Sequence, residues 1–530
     1  MREKVKAEVE KVLGDDFKLE NPPEGFGDYA CGVFHLAKKE KKDPKIIAKE
    51  LSIKFTSPLF EKVEAQGGFV NFFISKEALK EEVLSVLEKR DDYGKKEDGR
   101  VVVMEYSSPN IAKQLSITHL RSTIIGESLS RIYRHLGWQV ESINHLGDWG
   151  TQFGKLIYQI KKENLDVSSL TIEKMQELYV RFHKEEGDEE EARKYFSLLE
   201  KGEEEVSDIW KACVQVSMEE FQKTYDLLDV SIEHIIGESF YLNSVFEVID
   251  EARVVARESE GALIVEFDDM PPAMLLKSDG STTYFSRDLA AVKYRNERFN
   301  PQFFVYEIGN EQSLHMKQVF RTAEMLGWRK ESDFVHVSHG MLSLKEGKMS
   351  TRMGRTVHLD DVLEEAKKRA LSLIKDEALK DKEETATIVG VGAVKYSALK
   401  VHRNRNVVFD WNEALSLKGD SGPYLQYTAM RCKSVLEKGG DYGRFDSLSV
   451  EEADVVREMM RFKEAVEDAA ENFSPNLIAA FAYRLARSYN LFYEKNKIVG
   501  SSQRMAVTEA TLVLLRNALH LLVISLPRKM

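Results

Sequence analysis

Two segments of the chain hold residue types that handle phosphate. The first, YSSPNIAKQLSITHLRSTIIG at Tyr106 to Gly126, sits between a buried strand and a helix start. Free amide groups and the helix dipole draw anions to such a place. Lys113 and His119 add positive charge beside a transferring phosphoryl group. Taken alone, these residues equally describe a polar turn with Thr118 as helix N-cap and His119 merely exposed. The second segment runs from Gly347 to Arg355 and sets Lys348, Arg352 and Arg355 in a nine-residue loop with two glycines. A basic loop of this kind closes on a triphosphate and neutralises the leaving pyrophosphate, although alone it also reads as a solvated surface loop.

The flanking elements place the first segment. Val101 to Met104 is a continuous apolar run, which predicts a parallel strand buried on both faces. A loop follows to about Thr118. A helix comes next, with Leu120, Ile124, Ile125, Leu129 and Ile132 at helical spacing, and it stops at Gly137. The strand Gln139 to Asn144 completes a right-handed βαβ unit, whose ligand site lies at the carboxyl ends of its strands. From about Leu156 to Gly237 the pattern is helical and charged, an insertion that splits the sheet. Strands resume at Leu263 to Phe267 and Met274 to Lys277, and Asp279-Gly280 predicts a hairpin into Thr282 to Ser286. Phe303 to Ile308 and Phe334 to Val337 read as buried strands around the helix Leu314 to Leu326, and beyond Asp360 nearly everything is helix. At the N-terminus an amphipathic helix precedes a small α+β unit, which Gly67-Gly68 and FVNFFIS close as a hairpin edge.

Composition sets the frame for these elements. With 530 residues, 43% hydrophobic and 10% aromatic, the chain has material for roughly three or four cored domains and is not disordered. Cys31, Cys213 and Cys432 lie far apart without zinc-ligand or CxxC spacing, which suits small core residues in a reducing compartment. MREKVKAEVEKVL lacks the apolar core of a signal peptide, and Thr511 to Leu526 is broken by Arg516, Asn517 and His520, so a cytosolic protein without a membrane span is expected. The net charge of −12 argues at first against a polyanionic partner. It is unevenly spread, however. Glu413 to Met530 holds 16 basic against 15 acidic residues, and Lys395 to Arg405 holds four cations and no acid. Phosphate binding answers to such local fields.

In this order the segments resemble the arginyl-tRNA synthetases, class I enzymes of translation, over nearly the whole chain. SSPNIAK followed by HLRSTIIG looks like that family's HIGH segment, NHLGDWGTQFGKL like its signature after the second strand, and GKMSTR like its KMSKS loop. SGPYLQYTAMR at Ser421 to Arg431 resembles the opening of its anticodon-binding domain, and GDYA and GFVNF resemble the additional N-terminal domain implicated in touching the tRNA elbow. The resemblance implies an α/β fold: a Rossmann-like parallel-sheet catalytic domain at 78–405 with an insertion at about 157–260. A small α+β domain would occupy 1–77, and an all-α anticodon-binding domain of the DALR type 406–530.

It also implies ATP, with Mg²⁺, as the activating substrate and L-arginine and tRNA(Arg) as partners of a monomeric enzyme. Arginine's carboxylate would attack the α-phosphate, and the terminal 2′-hydroxyl of the tRNA would take the arginyl group, mostly through positioning and charge stabilisation. His119 matches the second histidine of HIGH and Lys348 the first lysine of KMSKS. Thr351 stands where a second lysine is usual, and Lys113 occupies the upstream position that supplies the missing charge. Ser116, Thr118, Met349 and Ser350 complete the implied ATP contacts. For arginine the match offers Glu105, Ser108, Asn110, Tyr284, Asp288 and Gln312. Asp288 is the first choice, because a planar guanidinium is best held by a carboxylate. From chemistry alone Asp288 is equally a helix N-cap and Tyr284 a strand core residue. Tyr424 and Gln426 fall where the family meets the tRNA. HIGH reads Ser116-Ile117-Thr118-His119, and a β-branched Thr118 in place of glycine adds bulk beside the nucleotide. A catalytically impaired relative that binds tRNA or arginine is the alternative reading.

Overall fold

The computed structural model describes residues 1–23, 25–184, 187–345, 357–374, 380–439 and 448–530. The N-terminal unit packs helices Arg2–Leu13, Phe34–Glu40 and Pro44–Ser52 against four strands: β1 (Leu19–Glu20), β2 (Tyr29–Gly32), β3 (Phe60–Gln66) and β4 (Phe69–Ile74). The antiparallel order is β1-β2-β4-β3, so the FVNFFI strand expected at an edge lies inside the sheet. The mostly apolar β4 takes a partner on each side, whereas β3, with Glu61, Lys62 and Glu64, suits the edge, where charge deters further pairing.

The GDYA segment is built into the packing between units. Asp28 and Tyr29 are buried, 6% and 0% exposed, and face the C-terminal helices. The Asp28 carboxylate accepts from the Ile74 amide at 2.7 Å and pairs with Arg457 at 3.2 Å. Tyr29 donates its hydroxyl proton to the buried Glu464, and the Arg461 guanidinium lies 4.3 Å from the Tyr29 ring. These residues clasp the first unit to the last and are not open to a large ligand.

After the helix Lys76–Lys89 the second sheet begins with β5 (Val101–Glu105) and β6 (Gln139–Asn144), joined by the helix Ile117–His135. The insertion helices Thr151–Lys162, Ile172–Lys184, Glu189–Glu200 and Glu204–Leu228 follow, and β7 (His234–Ile235) then returns beside β6. The sheet therefore resumes earlier than the expected Leu263. The next strands, β8 (Ala256–Ser259), β9 (Ala262–Val265) and β10 (Ala273–Leu276), form a separate antiparallel sheet. The predicted strand at Thr282 to Ser286 is instead the start of the helix Tyr284–Phe299. Thr283 and Ser286 form a capping box there, and that local chemistry outweighs the β-propensity of Thr-Thr-Tyr-Phe. β11 (Phe303–Tyr306) and β12 (Phe334–His336) complete a fully parallel sheet of order β12-β11-β5-β6-β7. Beyond it β13 (Leu342–Leu344) pairs in parallel with β14 (Val407–Phe409).

The remaining chain is helical. Thr511, Val513, Leu514, Leu515 and Leu519 are buried in the helix Ser502–Leu521, and among the described residues no helix is long and apolar enough to cross a membrane. The cationic run at Lys395 to Arg405 is largely spent on structure. Lys395 is 2% exposed and donates to the Leu228 carbonyl at 2.7 Å, with burial bringing its pKa down to about 7, while Lys400 and Arg403 donate to the carbonyls of Asp420 and Ser338. The three cysteines are free and buried, and burial raises each thiol, Cys31 to about 11 and Cys213 and Cys432 to about 12. The helix Ile117–His135 also touches the C-terminal bundle: Ser128 donates to the Leu521 carbonyl at 2.6 Å, Arg131 to that of His520 and Tyr133 to that of Ala470.

Asp28→Ala leaves the Ile74 amide without its acceptor and Arg457 without a buried partner. It is expected to cost about 3 kcal/mol in urea unfolding. The exposed Asp15→Ala on the same unit is expected to cost under about 0.5 kcal/mol.

Candidate functional site

At the carboxyl ends of the parallel strands lies a cavity of about 650 Å³, within the usual range for a small-molecule site. Its first wall is the loop after β5. Ser107, Ser108 and Ala112 carry φ of 70°, 45° and 60°, a left-handed backbone that costs on the order of 1 kcal/mol each and needs outside support. The Ser107 amide donates to Ser122 Oγ, the Ser108 amide to Asn144 Oδ1 and the Ala112 amide to Ser217 Oγ, at 3.0, 3.1 and 2.9 Å. Two glycines make the shape possible. A Cβ on Gly126 would sit 2.1 Å from Tyr106, and one on Gly147 would sit 2.0 Å from Asn110 Oδ1.

The helix cap lies two residues earlier than the sequence suggests. Ser116, not Thr118, is its N-cap, in a capping box with His119. His119 Nδ1 accepts from the Ser116 amide at 3.0 Å, and burial, with the charges of His339 and Lys113, lowers its pKa. A neutral ring accepting at Nδ1 carries its proton on Nε2, which makes it a donor for an anion. Thr118 Oγ1 lies 2.6 Å from Ser116 Oγ.

The second wall is built on the helix Tyr284–Phe299. Asp288 Oδ2 is 2.6 Å from His315 Nε2, and Oδ1 is 3.6 Å from His145 Nε2. Burial would raise this carboxyl, but the hydrogen bond and charge of His315, helped by His145 and Arg295, hold it below its usual range; Asp288 in turn lifts His315 against the effect of burial. Tyr284 opens the helix with its ring 4.7 Å from the Arg287 guanidinium, exposed and bordering the cavity. It is neither a strand residue nor core, and Asp288 lies inside the helix, not at its cap.

Three further wall carboxylates are partnered, while Glu311 borders the cavity exposed to solvent. Glu105 forms a buried ion pair with Arg295, whose Nη2 reaches His145 Nδ1 at 3.1 Å. Glu238 pairs with Arg287 at 2.7 Å, and its burial still pushes its pKa up to about 7. Glu307 pairs with His339 at 2.9 Å. Asp288 differs in being held by histidines while still 29% exposed, which fits a receptor for an incoming cation. Glu105, expected to hold the same cation, has its charge already neutralised by Arg295 and acts on the wall through it.

The structure therefore brings Glu105, Ser108, Asn110, Thr118, His119, Tyr284, Asp288 and Gln312 around one cavity. Ser116 stands behind them as the cap. Lys113 does not border the cavity: it is exposed, with Nζ 5.0 Å from the Tyr179 ring of the insertion. Lys348, Met349 and Ser350 lie outside the described residues. Tyr424 and Gln426 are elsewhere, on the helix Gly422–Leu436. Gln426 is 0% exposed and donates to the carbonyls of Ile388 and Ser525, so it fastens helices together and is closed to a partner. The Tyr424 hydroxyl accepts from Asn490 at 2.9 Å. His145, Arg295, Glu307, His315 and His339 escaped the sequence reading. His145 had a signal, since it directly follows β6 at the carboxyl edge; the others are joined only by tertiary contact.

Comparison with known proteins is consistent along the chain. Residues 82–411 match the family model for the catalytic domain of class I tRNA synthetases (R), 425–530 the DALR anticodon binding domain and 1–74 the arginyl tRNA synthetase N-terminal domain. The arginine–tRNA ligases of Clostridium acetobutylicum and Halothermothrix orenii are 39% and 40% identical, the alignments covering 97% of this chain and 96% and 95% of theirs. The arginyl-tRNA synthetase structure from Plasmodium falciparum superposes with a TM-score of 0.84 at 26% identity over 100% of this chain and 99% of that one; the Thermus thermophilus enzyme shares the fold, with a TM-score of 0.86 at 24% identity and full coverage of both chains. With a catalytic-domain model spanning most of its length and relatives this similar from end to end, the chain belongs to the class I arginyl-tRNA synthetase family.

Proposed function

We propose that the chain is a working arginine–tRNA ligase that activates L-arginine with ATP and passes the arginyl group to tRNA(Arg). The observation that carries the substrate assignment is Asp288, an accessible carboxylate held only by histidines beside Tyr284. A guanidinium entering there gains a bidentate acceptor and an aromatic neighbour. Ser108, Asn110 and Gln312 border the same space and would hold the amino-acid end, with the triphosphate against the Ser116 cap and His119. In the first step a carboxylate oxygen of arginine bonds to the α-phosphorus while the bond to pyrophosphate breaks. His119 donates to a phosphate oxygen from Nε2, and Lys348 brings the positive charge, with Lys113 adding its field from outside the cavity. In the second step the tRNA 2′-hydroxyl attacks the arginyl carbonyl and AMP leaves. Mg²⁺ enters as the triphosphate's counter-ion, part of the substrate. The enzyme works as a cytoplasmic monomer.

The impaired-relative reading is not favoured. Thr118 borders the cavity, but His119 and Asp288 persist, and relatives named as arginine–tRNA ligases match along nearly the whole chain. The tRNA meets the C-terminal helices near the half-buried Tyr424, while Gln426 stays inside the bundle.

Arginine-dependent ATP–pyrophosphate exchange with tRNA present tests the function; absence of exchange with purified chain and cognate tRNA refutes it. Asp288→Ala should lower kcat/KM for arginine by about a hundredfold or more while ATP still binds. Thr118→Gly should raise exchange by relieving bulk beside the nucleotide, and a decrease would show that its bond to Ser116 matters more. Below the raised pKa of His315, which lies above the ordinary 6.5, an imidazolium occupies Asp288 and competes with the guanidinium. The KM for arginine should therefore fall as pH rises from about 6 to about 8.5, and His315→Gln should flatten that dependence.

A further inference from the structure

The cavity wall contains a buried carboxylate to which no guanidinium donates a hydrogen bond among the described residues, although Arg121 and Arg403 act on it through charge. Glu307 directly follows β11 and is 1% exposed. Its Oε1 is held by His339, while its buried Oε2 has no hydrogen-bond partner among the described residues. The backbone gives it little freedom. Its amide donates to the Glu105 carbonyl at 2.9 Å, and its carbonyl accepts from Ser122 Oγ at 3.0 Å, one turn along the helix from His119. His339 is pinned in turn by a bridge to Gly309. The pair is thus tied to the His119 end of the cavity, whereas Asp288 is tied to His145 and His315.

A buried carboxylate oxygen without a donor is costly, and a ligand that donates to it recovers that cost. The ligand assigned to this end is ATP. Its phosphates carry no donor and would be repelled, which leaves the nucleoside: the 6-amino group of adenine or the ribose hydroxyls. We propose that Glu307 Oε2 accepts a hydrogen bond from the nucleoside of ATP, with His339 orienting it, so that Glu307 sets nucleotide specificity. The proposal rests on the reading of the Ser116–His119 end as the ATP site.

The test is tRNA-dependent, arginine-dependent pyrophosphate exchange by the full chain and by Glu307→Leu and Glu307→Gln. Each is assayed with ATP, with ITP, whose 6-oxo group offers no donor, and with 2′-deoxy-ATP and 3′-deoxy-ATP. The unaltered chain should prefer ATP over at least one analogue by about tenfold or more in kcat/KM. That preference should shrink to within about threefold in Glu307→Leu and partly in Glu307→Gln; the analogue concerned shows whether base or sugar is the donor. The ratio is independent of how much of a variant is folded. Unchanged ratios in both variants overturn the proposal, as does a rise in the arginine KM with nucleotide ratios intact, which would move Glu307 to the guanidinium end. Absence of exchange in the unaltered chain refutes the proposed function itself and takes this inference with it.

Discussion

The buried ion pair between Glu105 and Arg295 is the constraint on which the candidate site depends. Glu105 ends β5, where the loop bearing the strained Ser107 and Ser108 begins, and Arg295 lies on the helix that carries Asp288. Arg295 also reaches His145, so one guanidinium fixes a strand end, a helix and a histidine together. Removing one partner from such a pair costs about 3–5 kcal/mol, because the other charge stays buried. The arrangement leaves Asp288 as the accessible charge of that wall. A site for a cation must satisfy its own cations first, and here Arg295 and Arg287 take Glu105 and Glu238 out of competition.

Much of this was legible beforehand. The apolar run at Val101, the helical spacing from Leu120 to Ile132 and the strand at Gln139 placed the phosphate-facing loop, because local pattern and tertiary structure agree there. The failures have identifiable causes. At Thr282 to Ser286 strand propensity gives way to the capping box of Thr283 and Ser286. The antiparallel β8–β10 sheet was not anticipated because a short apolar run does not say which sheet it joins. His315 and His339 were invisible because pairing with Asp288 and Glu307 spans 27 and 32 residues and leaves no spacing pattern.

Charge shows the same division between local and global information. The net −12 hides how many surface and buried cations are already spoken for, including Lys395, Lys400 and Arg403. The GDYA segment stands out in the sequence, yet its side chains turn inward to Arg457, Arg461 and Glu464. A polar residue that attracts notice in a sequence is as often a clasp between units as a contact for a ligand, and burial separates the two.

The helix Ile117–His135 bears on both ends of the molecule. One end presents Thr118 and His119 to the cavity, and further along Ser128, Arg131 and Tyr133 are fastened to carbonyls of the C-terminal bundle. An α-helix of 19 residues is a stiff rod of roughly 28 Å. A tilt of the bundle by a few degrees would therefore arrive at the cavity as a displacement of the histidine, with no relay of side chains between. The two regions are therefore fixed to a single rigid element.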